Sequence, residues 1–221
     1  SSKYKKKNHQ EFIGDILNID DIKDAMKDCS YVYHFAGQAD IGFSSKNPTE
    51  TIKANIIGTQ NILEAAREKS INRIMFASTI YVYSELGSFY RVSKQACEKI
   101  IEEYQKEYNL DNTILRFGSL YGPRANEFNG IRDFLYQALK NKKIVRRGDG
   151  EEIREYIHVK DAARLSVKAL DDKFKNKHLI ITGNQQIKVK DLLMMIKEIF
   201  SGEIEIEFGE EEELHHYEIT P

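Results

Sequence analysis

Tyr90 and Lys94 stand four residues apart, a spacing that puts two side chains on one face of an α-helix and within reach of each other. A phenol with a pKa of about 10 is a poor base at neutral pH, but an ammonium beside it and a cationic ring nearby stabilise the phenolate and bring that value down. Such a pair could move a proton to or from a substrate hydroxyl. The spacing alone is met by chance in many helices, so the surroundings must decide. In an open parallel sheet, ligands bind at the carboxyl ends of the strands. That rule selects Ala36-Gly37-Gln38, Ser78-Thr79 and Gly118-Ser119, each containing small or hydroxyl-bearing residues.

The elements that would position these residues alternate between strand and helix, which argues for an α/β architecture with a mainly parallel sheet. Strands are expected over Glu11 to Ile16, Tyr31 to Phe35, Arg73 to Ser78, Asn112 to Phe117, His178 to Thr182 and Ile204 to Phe208. Between them, helical periodicity predicts a short helix from Asp20 to Lys27 and a long one opened by Asn47-Pro48-Thr49 and running to about Glu68. Further helices are expected from Phe89 to Tyr108, Ile131 to Lys140, Val159 to Leu170 and Val189 to Phe200, and Gly122-Pro123 breaks the chain between two of them. No repeat or low-complexity linker separates the parts, so a second domain would interleave with the first.

Composition bounds the possibilities. The 221 residues can bury a substantial core. A net charge of -2, with both signs interspersed, gives no footprint for nucleic acid or an anionic membrane. No apolar run approaches the ~20 residues that span a bilayer. Lys5 to Lys7 and Glu210 to Glu213 read as solvated segments. Cys29 and Cys97 form no disulfide framework and have no partner at metal-ligand spacing; a reducing, cytoplasmic setting is expected, and no metal. The adjacent His215 and His216 receive no function.

The ordered segments "YHFAGQ" (Tyr33 to Gln38), "NIIGTQNILEAAR" (Asn55 to Arg67), "FASTIYVYS" (Phe76 to Ser84), "YRVSK" (Tyr90 to Lys94), "LRFGSLYGPR" (Leu115 to Arg124) and "GDGEEIREYIHVKDAA" (Gly148 to Ala163) together resemble the extended short-chain dehydrogenase/reductase superfamily, and within it the NAD-dependent nucleotide-sugar epimerase/dehydratase family. The resemblance implies a Rossmann-like doubly wound parallel sheet with a smaller interleaved C-terminal substrate-binding domain. Residues 1–118, with 156–183 returning, would bind NAD; 119–155 and 184–221 would bind the nucleotide-diphosphate sugar. By the same resemblance Tyr90 is the general acid/base, Lys94 holds the nicotinamide ribose, and Thr79 bonds the sugar oxygen being oxidised, with Ser78 one place away in the alignment. Asp15 and Ile16 match adenine contacts. Phe35, Ala36 and Gly37 match the turn beside the dinucleotide, and Asn55 and Phe117 also fall at the cofactor site, where Asn55 reads nearly as well as a residue bonding a neighbouring loop. On the substrate side, Arg154 matches the arginine that pairs with the diphosphate, followed here by Glu155 where Asp is usual. Ser119 and Arg124 fall near the sugar nucleotide. Asp161 matches an aspartate at a helix start, where it also reads as a cap.

In this family a C4 hydroxyl gives a hydride to NAD+ while the tyrosine takes the proton. Dehydratases and decarboxylases usually carry a carboxylate directly after the strand-end Ser/Thr, where this chain has Ile80 and Tyr81. Cys97 reads as helix packing rather than as a second acid/base group. The resemblance therefore favours 4-epimerisation through a transient 4-keto sugar, over a C4 dehydrogenase or reductase, a 4,6-dehydratase, and a non-catalytic dinucleotide-binding sensor. A homodimer through the helices Thr51 to Glu68 and Phe89 to Tyr108, packed as a four-helix bundle, is also implied. NADP stays open as the cofactor, because the segment that distinguishes the ribose 2′ group has no counterpart in the sequence. The family opens with a strand and a G-x-x-G-x-x-G turn that seats the pyrophosphate on a helix N-terminus. Nothing of this kind precedes Glu11, so the N-terminal βαβ unit is expected to be missing and the polypeptide as given to bind NAD weakly. The link from Ser84 to Phe89 is also shorter than the family's loop, which points to omitted residues of a flexible flap.

Overall fold

A computed structural model of the chain describes residues 10–209. Lys5 to Lys7, Glu210 to Glu213, His215 and His216 lie outside the described residues. Four strands form one parallel sheet in the order β1 (Tyr31–His34), β2 (Arg73–Thr79), β3 (Asn112–Phe117), β7 (Lys177–Ile181). Parallel neighbours need long crossovers. α2 (Ile41–Lys46), α3 (Pro48–Ile52) and α4 (Gly58–Glu68) cross from β1 to β2, and α5 (Ser88–Tyr108) crosses from β2 to β3.

Strand residues alternate faces, so a central strand needs apolar side chains on both. On β2, Ile74 and Phe76 face α4 and α5, meeting Leu63, Ala66, Cys97 and Ile101; Met75 faces the other way, toward Leu115, Ala162 and Ile181. Neighbouring Ile114 and Leu115 divide β3 between the two cores in the same manner. The helix on the second face is α7 (Val159–Lys168), and helices on both faces of the parallel sheet make the fold Rossmann-like. A third core, Phe134, Ala138, Ile144, Val189, Leu193, Ile196 and Ile204, lies among α6 (Gly130–Asn141), α8 (Val189–Ile199) and the parallel pair β5 (Lys143–Arg146) and β9 (Glu205–Phe208). Between the cores run β4 (Ser119–Tyr121), β6 (Ile153–His158) and β8 (Gln186–Lys188).

Three local expectations change. Glu11 to Ile16 is not a strand: the segment is irregular and turns into α1 (Ile19–Ala25), with Phe12 and Ile13 exposed. An extended segment becomes a strand only when a neighbour takes its backbone donors and acceptors, and among the described residues none lies alongside it. The long helix ending at Glu68 is broken by a π turn, Lys53–Ile57, in which the Gly58 N–H donates to the Lys53 carbonyl. The first turn of α7 is capped by the His158 side chain rather than by Asp161, which pairs with Arg164 instead.

Two glycines let β6 cross the ends of β3 and β7. A Cβ at Gly118 would lie 2.4 Å from the Glu155 carbonyl oxygen, and one at Gly183 would lie 2.2 Å from that of Tyr156. Both obstacles are backbone, which a rotamer change cannot clear. Gly183→Ala is therefore expected to destabilise the protein by about 1–3 kcal/mol as overpacking does, read as a lower urea midpoint with an unchanged slope.

Candidate active site

The polar groups of the sheet gather where β1, β2 and β3 end. Every buried position of α5 lies on one stripe, Ser93, Lys94, Cys97, Glu98 and Ile101, so the stripe is apolar toward Tyr108 and polar toward the helix start. The polar end opens on a cleft of 450 Å³, lined by Phe35, Gly37, Ser78, Thr79, Tyr90, Lys94, Phe117 and Ser119 among others. Here the Thr79 hydroxyl is hydrogen-bonded to that of Tyr90, and its oxygen also accepts from the Tyr81 N–H at 3.2 Å. Lys94 lies 7% exposed, its Nζ donating to the Ala77 carbonyl at 2.9 Å and standing 4.7 Å from the centre of the Phe76 ring. Burial pushes the Tyr90 phenol up to about 12 against the pull of the Thr79 bond. Burial likewise brings the Lys94 ammonium down to about 8, with Cys97 and Glu98 opposing. Tyr90 thus holds its proton until a second charge enters the cleft, while Lys94 is a cation at neutral pH.

The turn after β1 is held by Asn55, which sits on the π turn and is 2% exposed. Its Oδ1 accepts from the Gln38 N–H at 2.7 Å, and its Nδ2 donates to the Gln38 carbonyl at 3.0 Å and to Ser93 Oγ at 2.8 Å. The Cys97 thiol donates to the Asn55 carbonyl at 3.2 Å. Gly37, at φ +144°, fits beneath this amide because a Cβ there would stand 2.7 Å from Asn55 Oδ1. Asn55 therefore shapes the turn and ties it to α5.

A model of the NAD dependent epimerase/dehydratase family matches residues 1–182. The chain belongs to this family. A protein of Methanocaldococcus jannaschii assigned as a UDP-glucose 4-epimerase is 33% identical over 206 residues, covering 85% of this chain and 67% of that protein. The UDP-glucose 4-epimerase of Thermotoga maritima, solved with UDP-glucose, superimposes with a TM-score of 0.87 at 25% identity over 94% of this chain and 74% of its own. The UDP-glucuronic acid 4-epimerase of Bacillus cereus, solved with UDP-glucuronic acid and NAD, gives 0.81 at 26% identity over 94% and 69%. Members with other chemistry are related at similar distance, UDP-glucuronic acid decarboxylases among them.

The remaining family positions divide. Phe35 and Phe117 meet edge to face, 6.0 Å between centres, with Ala36 exposed beside Phe35. Ser78 lines the cleft, but its hydroxyl donates to the buried Glu98 at 2.5 Å, leaving Thr79 as the hydroxyl bonded to Tyr90. Asp15 and Ile16 border a separate cavity of 350 Å³ between α1 and the outer side of β1. Arg124 borders another, of 520 Å³, with Tyr121, Arg132, Tyr136 and His158. Arg154 borders none of these cavities and donates to the Ile153 carbonyl; Glu155 accepts from Gln186 on the opposite side of the strand. In the short link to α5, Leu86 N–H donates to Ser84 Oγ at 2.9 Å, Arg91 to the Ser84 carbonyl at 2.7 Å, and Gly87, at φ +105°, lies against the Tyr81 ring. Reading the sequence missed Tyr81 as a cleft wall, edge-on to Tyr90 at 6.4 Å, and the small residues Ala162, Ala163 and Ser166 of α7 opposite it. The Ala-Ala pair on an otherwise amphipathic helix was the available signal for the latter.

His34, at the end of β1, is 2% exposed with Nε2 against Thr59 Oγ1 at 2.9 Å. Burial, and then the Lys94 charge, lower it from 6.5 to about 3. The unfolded chain therefore binds a proton that the folded one refuses between those values, and stability falls as pH drops through that window, by at most about 1.4 kcal/mol per pH unit. His34→Gln is expected to flatten this part of the stability curve, measured as urea midpoints at pH 7, 5 and 4.

Proposed function

We propose that the chain is the catalytic part of an NAD-dependent nucleotide-sugar 4-epimerase. The observation that carries the reading is the Thr79–Tyr90 hydroxyl pair with Lys94 one helical turn on, in a cleft at the carboxyl ends of three parallel strands. The residues present fit a dinucleotide: Gly37 leaves the strand-end backbone uncovered, and Lys94 brings an ammonium to the lining of the cleft, where it could take a ribose hydroxyl. NAD, when bound, supplies the acceptor and later the donor of the C4 hydride, and its positive ring adds to the charge beside Tyr90.

Thr79 orients the C4 hydroxyl and relays its proton toward Tyr90. Lys94, held as a cation, stabilises the phenolate that makes Tyr90 an acceptor. When the keto sugar returns to the alcohol, Tyr90 gives the proton back to O4. Epimerisation is favoured over elimination or decarboxylation because among the described residues no carboxylate lines the cleft. Ile80 is 1% exposed and faces the core, and Tyr81 presents a ring. The diphosphate would fall to Arg124 and Arg154, on the side built by residues 119–155 and 184–209, with residues 10–118 and 156–183 serving the cofactor. A homodimer through α3 to α5 belongs to the same proposal, since Ile52, Ile57, Phe89 and Val92 stay exposed there; light scattering would measure it.

The full-length protein with a panel of nucleotide sugars should yield an isomer of unchanged mass. Loss of water would indicate a dehydratase, loss of two hydrogens with reduced cofactor a dehydrogenase, and no change with any sugar a non-catalytic dinucleotide-binding protein. Tyr90→Phe should retain bound cofactor and lose about 10²–10⁴-fold in turnover, the usual contribution of a general acid/base; unchanged turnover refutes the assignment.

A further inference from the structure

Glu98 is a carboxylate with 3% exposure, four residues beyond Lys94 on the same stripe of α5. Its surroundings are more elaborate than packing requires. Oε1 accepts from Ser78 Oγ at 2.5 Å and from Arg116 Nε at 3.0 Å, and Oε2 accepts from Arg116 Nη2 at 2.5 Å. Arg116 in turn donates to the Tyr83 hydroxyl at 2.6 Å and meets His178 Nδ1 at 2.6 Å. Ser78 precedes Thr79, and Tyr83 closes the short 3-10 turn that follows it. One carboxylate is therefore joined to the chain on both sides of Thr79, directly before it and through Arg116 after it.

We propose that Glu98 is a positioning residue for the Thr79, Tyr90 and Lys94 constellation, fixing α5 against the end of β2 and placing a buried carboxylate one helical turn from Lys94. The inference rests on the reading of Tyr90 and Lys94 as the proton-handling pair. A buried ion pair contributes little net stability over apolar groups of the same shape, whereas a bidentate pair fixes two elements in one geometry. Lys94 is faced by Cys97 and Glu98 on its own helix and by His34 from β1. Glu98 is faced by Ser78 from β2, Arg116 from β3 and His178 from β7, with Lys99 and Glu102 beyond His178. His178 must present an unprotonated Nδ1 to Arg116, so its proton sits on Nε2 toward Glu102, 3.3 Å away. It adds no positive charge, and among the described residues Glu98 is the carboxylate that raises the Lys94 pKa, after Cys97.

The test is a titration of Lys94 in the full chain, labelled with 13C at the lysine ε carbons and followed by NMR without cofactor, in the native protein, Glu98→Gln and Ser78→Ala. Gln keeps the shape and an oxygen for Arg116 but removes the charge. The Lys94 midpoint should fall by about one pH unit in Glu98→Gln, as loss of a nearby opposite charge predicts, and stay in place in Ser78→Ala. An unchanged midpoint in Glu98→Gln overturns the electrostatic half. Ser78→Ala loses one hydrogen bond and keeps the ion pair; it should lower kcat at least severalfold with KM unchanged, and a native kcat overturns the positioning half. If Glu98→Gln does not fold, Glu98→Asp withdraws the charge from Lys94 and must lower the same midpoint. The titration needs no turnover, so its failure is separate from failure of the epimerase reading.

Discussion

The constraint on which the rest depends is the seating of α5 across β2 and β3. One stripe of that helix does two jobs along its length. Toward Tyr108 it closes the core with Ile101 against Ile74 and Ile114; toward its start it delivers Lys94 and Glu98 to the ends of the strands. Apolar burial, at about 25 cal/mol per Å², supplies the force that seats the helix but is indifferent to small rotations and slides. Hydrogen bonds supply the register: Lys94 to the Ala77 carbonyl, Gln95 to the Val82 carbonyl at 2.9 Å, and the Asn55 amide to Ser93 Oγ. The π turn in the preceding helix belongs to the same arrangement, since it presents Asn55 to the turn after β1 while its carbonyl takes the Cys97 thiol. Turn, strand end and helix are held as one body.

Most of this frame was legible in the sequence because its signals are local and repeated. The parallel strands Arg73–Thr79 and Asn112–Phe117 are short apolar runs, and α5 and α8 carry clear helical stripes. Strands β4, β5, β6 and β8 were not foreseen; β4 and β8 span three residues each, and what makes them strands is a partner distant in sequence. The same reason, inverted, accounts for Glu11 to Ile16, whose pattern was strand-like and whose partner is absent among the described residues.

The site divides along the same line. Tyr90 and Lys94 could be picked out because helical spacing is readable, and Thr79 because strand ends are predictable. Whether Ser78 or Thr79 reaches Tyr90 depends on the strand's twist and on what lies on its other face. In space Glu98 takes the Ser78 hydroxyl, and its spacing from Lys94 on one helix face was the signal that could have flagged it. Arg116, within the apolar run "ILRF", was a similar unheeded sign, since a strand interior admits a guanidinium only where a carboxylate receives it.

The short link from Ser84 to Gly87 has a consequence for how a sugar would be selected. Many enzymes close a flexible lid over the substrate, and opening that lid often limits the rate. Here the segment between the end of β2 and the start of α5 is laced by Ser84, Arg91 and Gln95, and Gly87 sits flush against the Tyr81 ring. Tyr81 therefore stands as one wall of the cleft, edge-on to Tyr90. That wall offers an aromatic ring and no charge, so whatever the cleft admits would meet it by shape and stacking rather than by ion pairing.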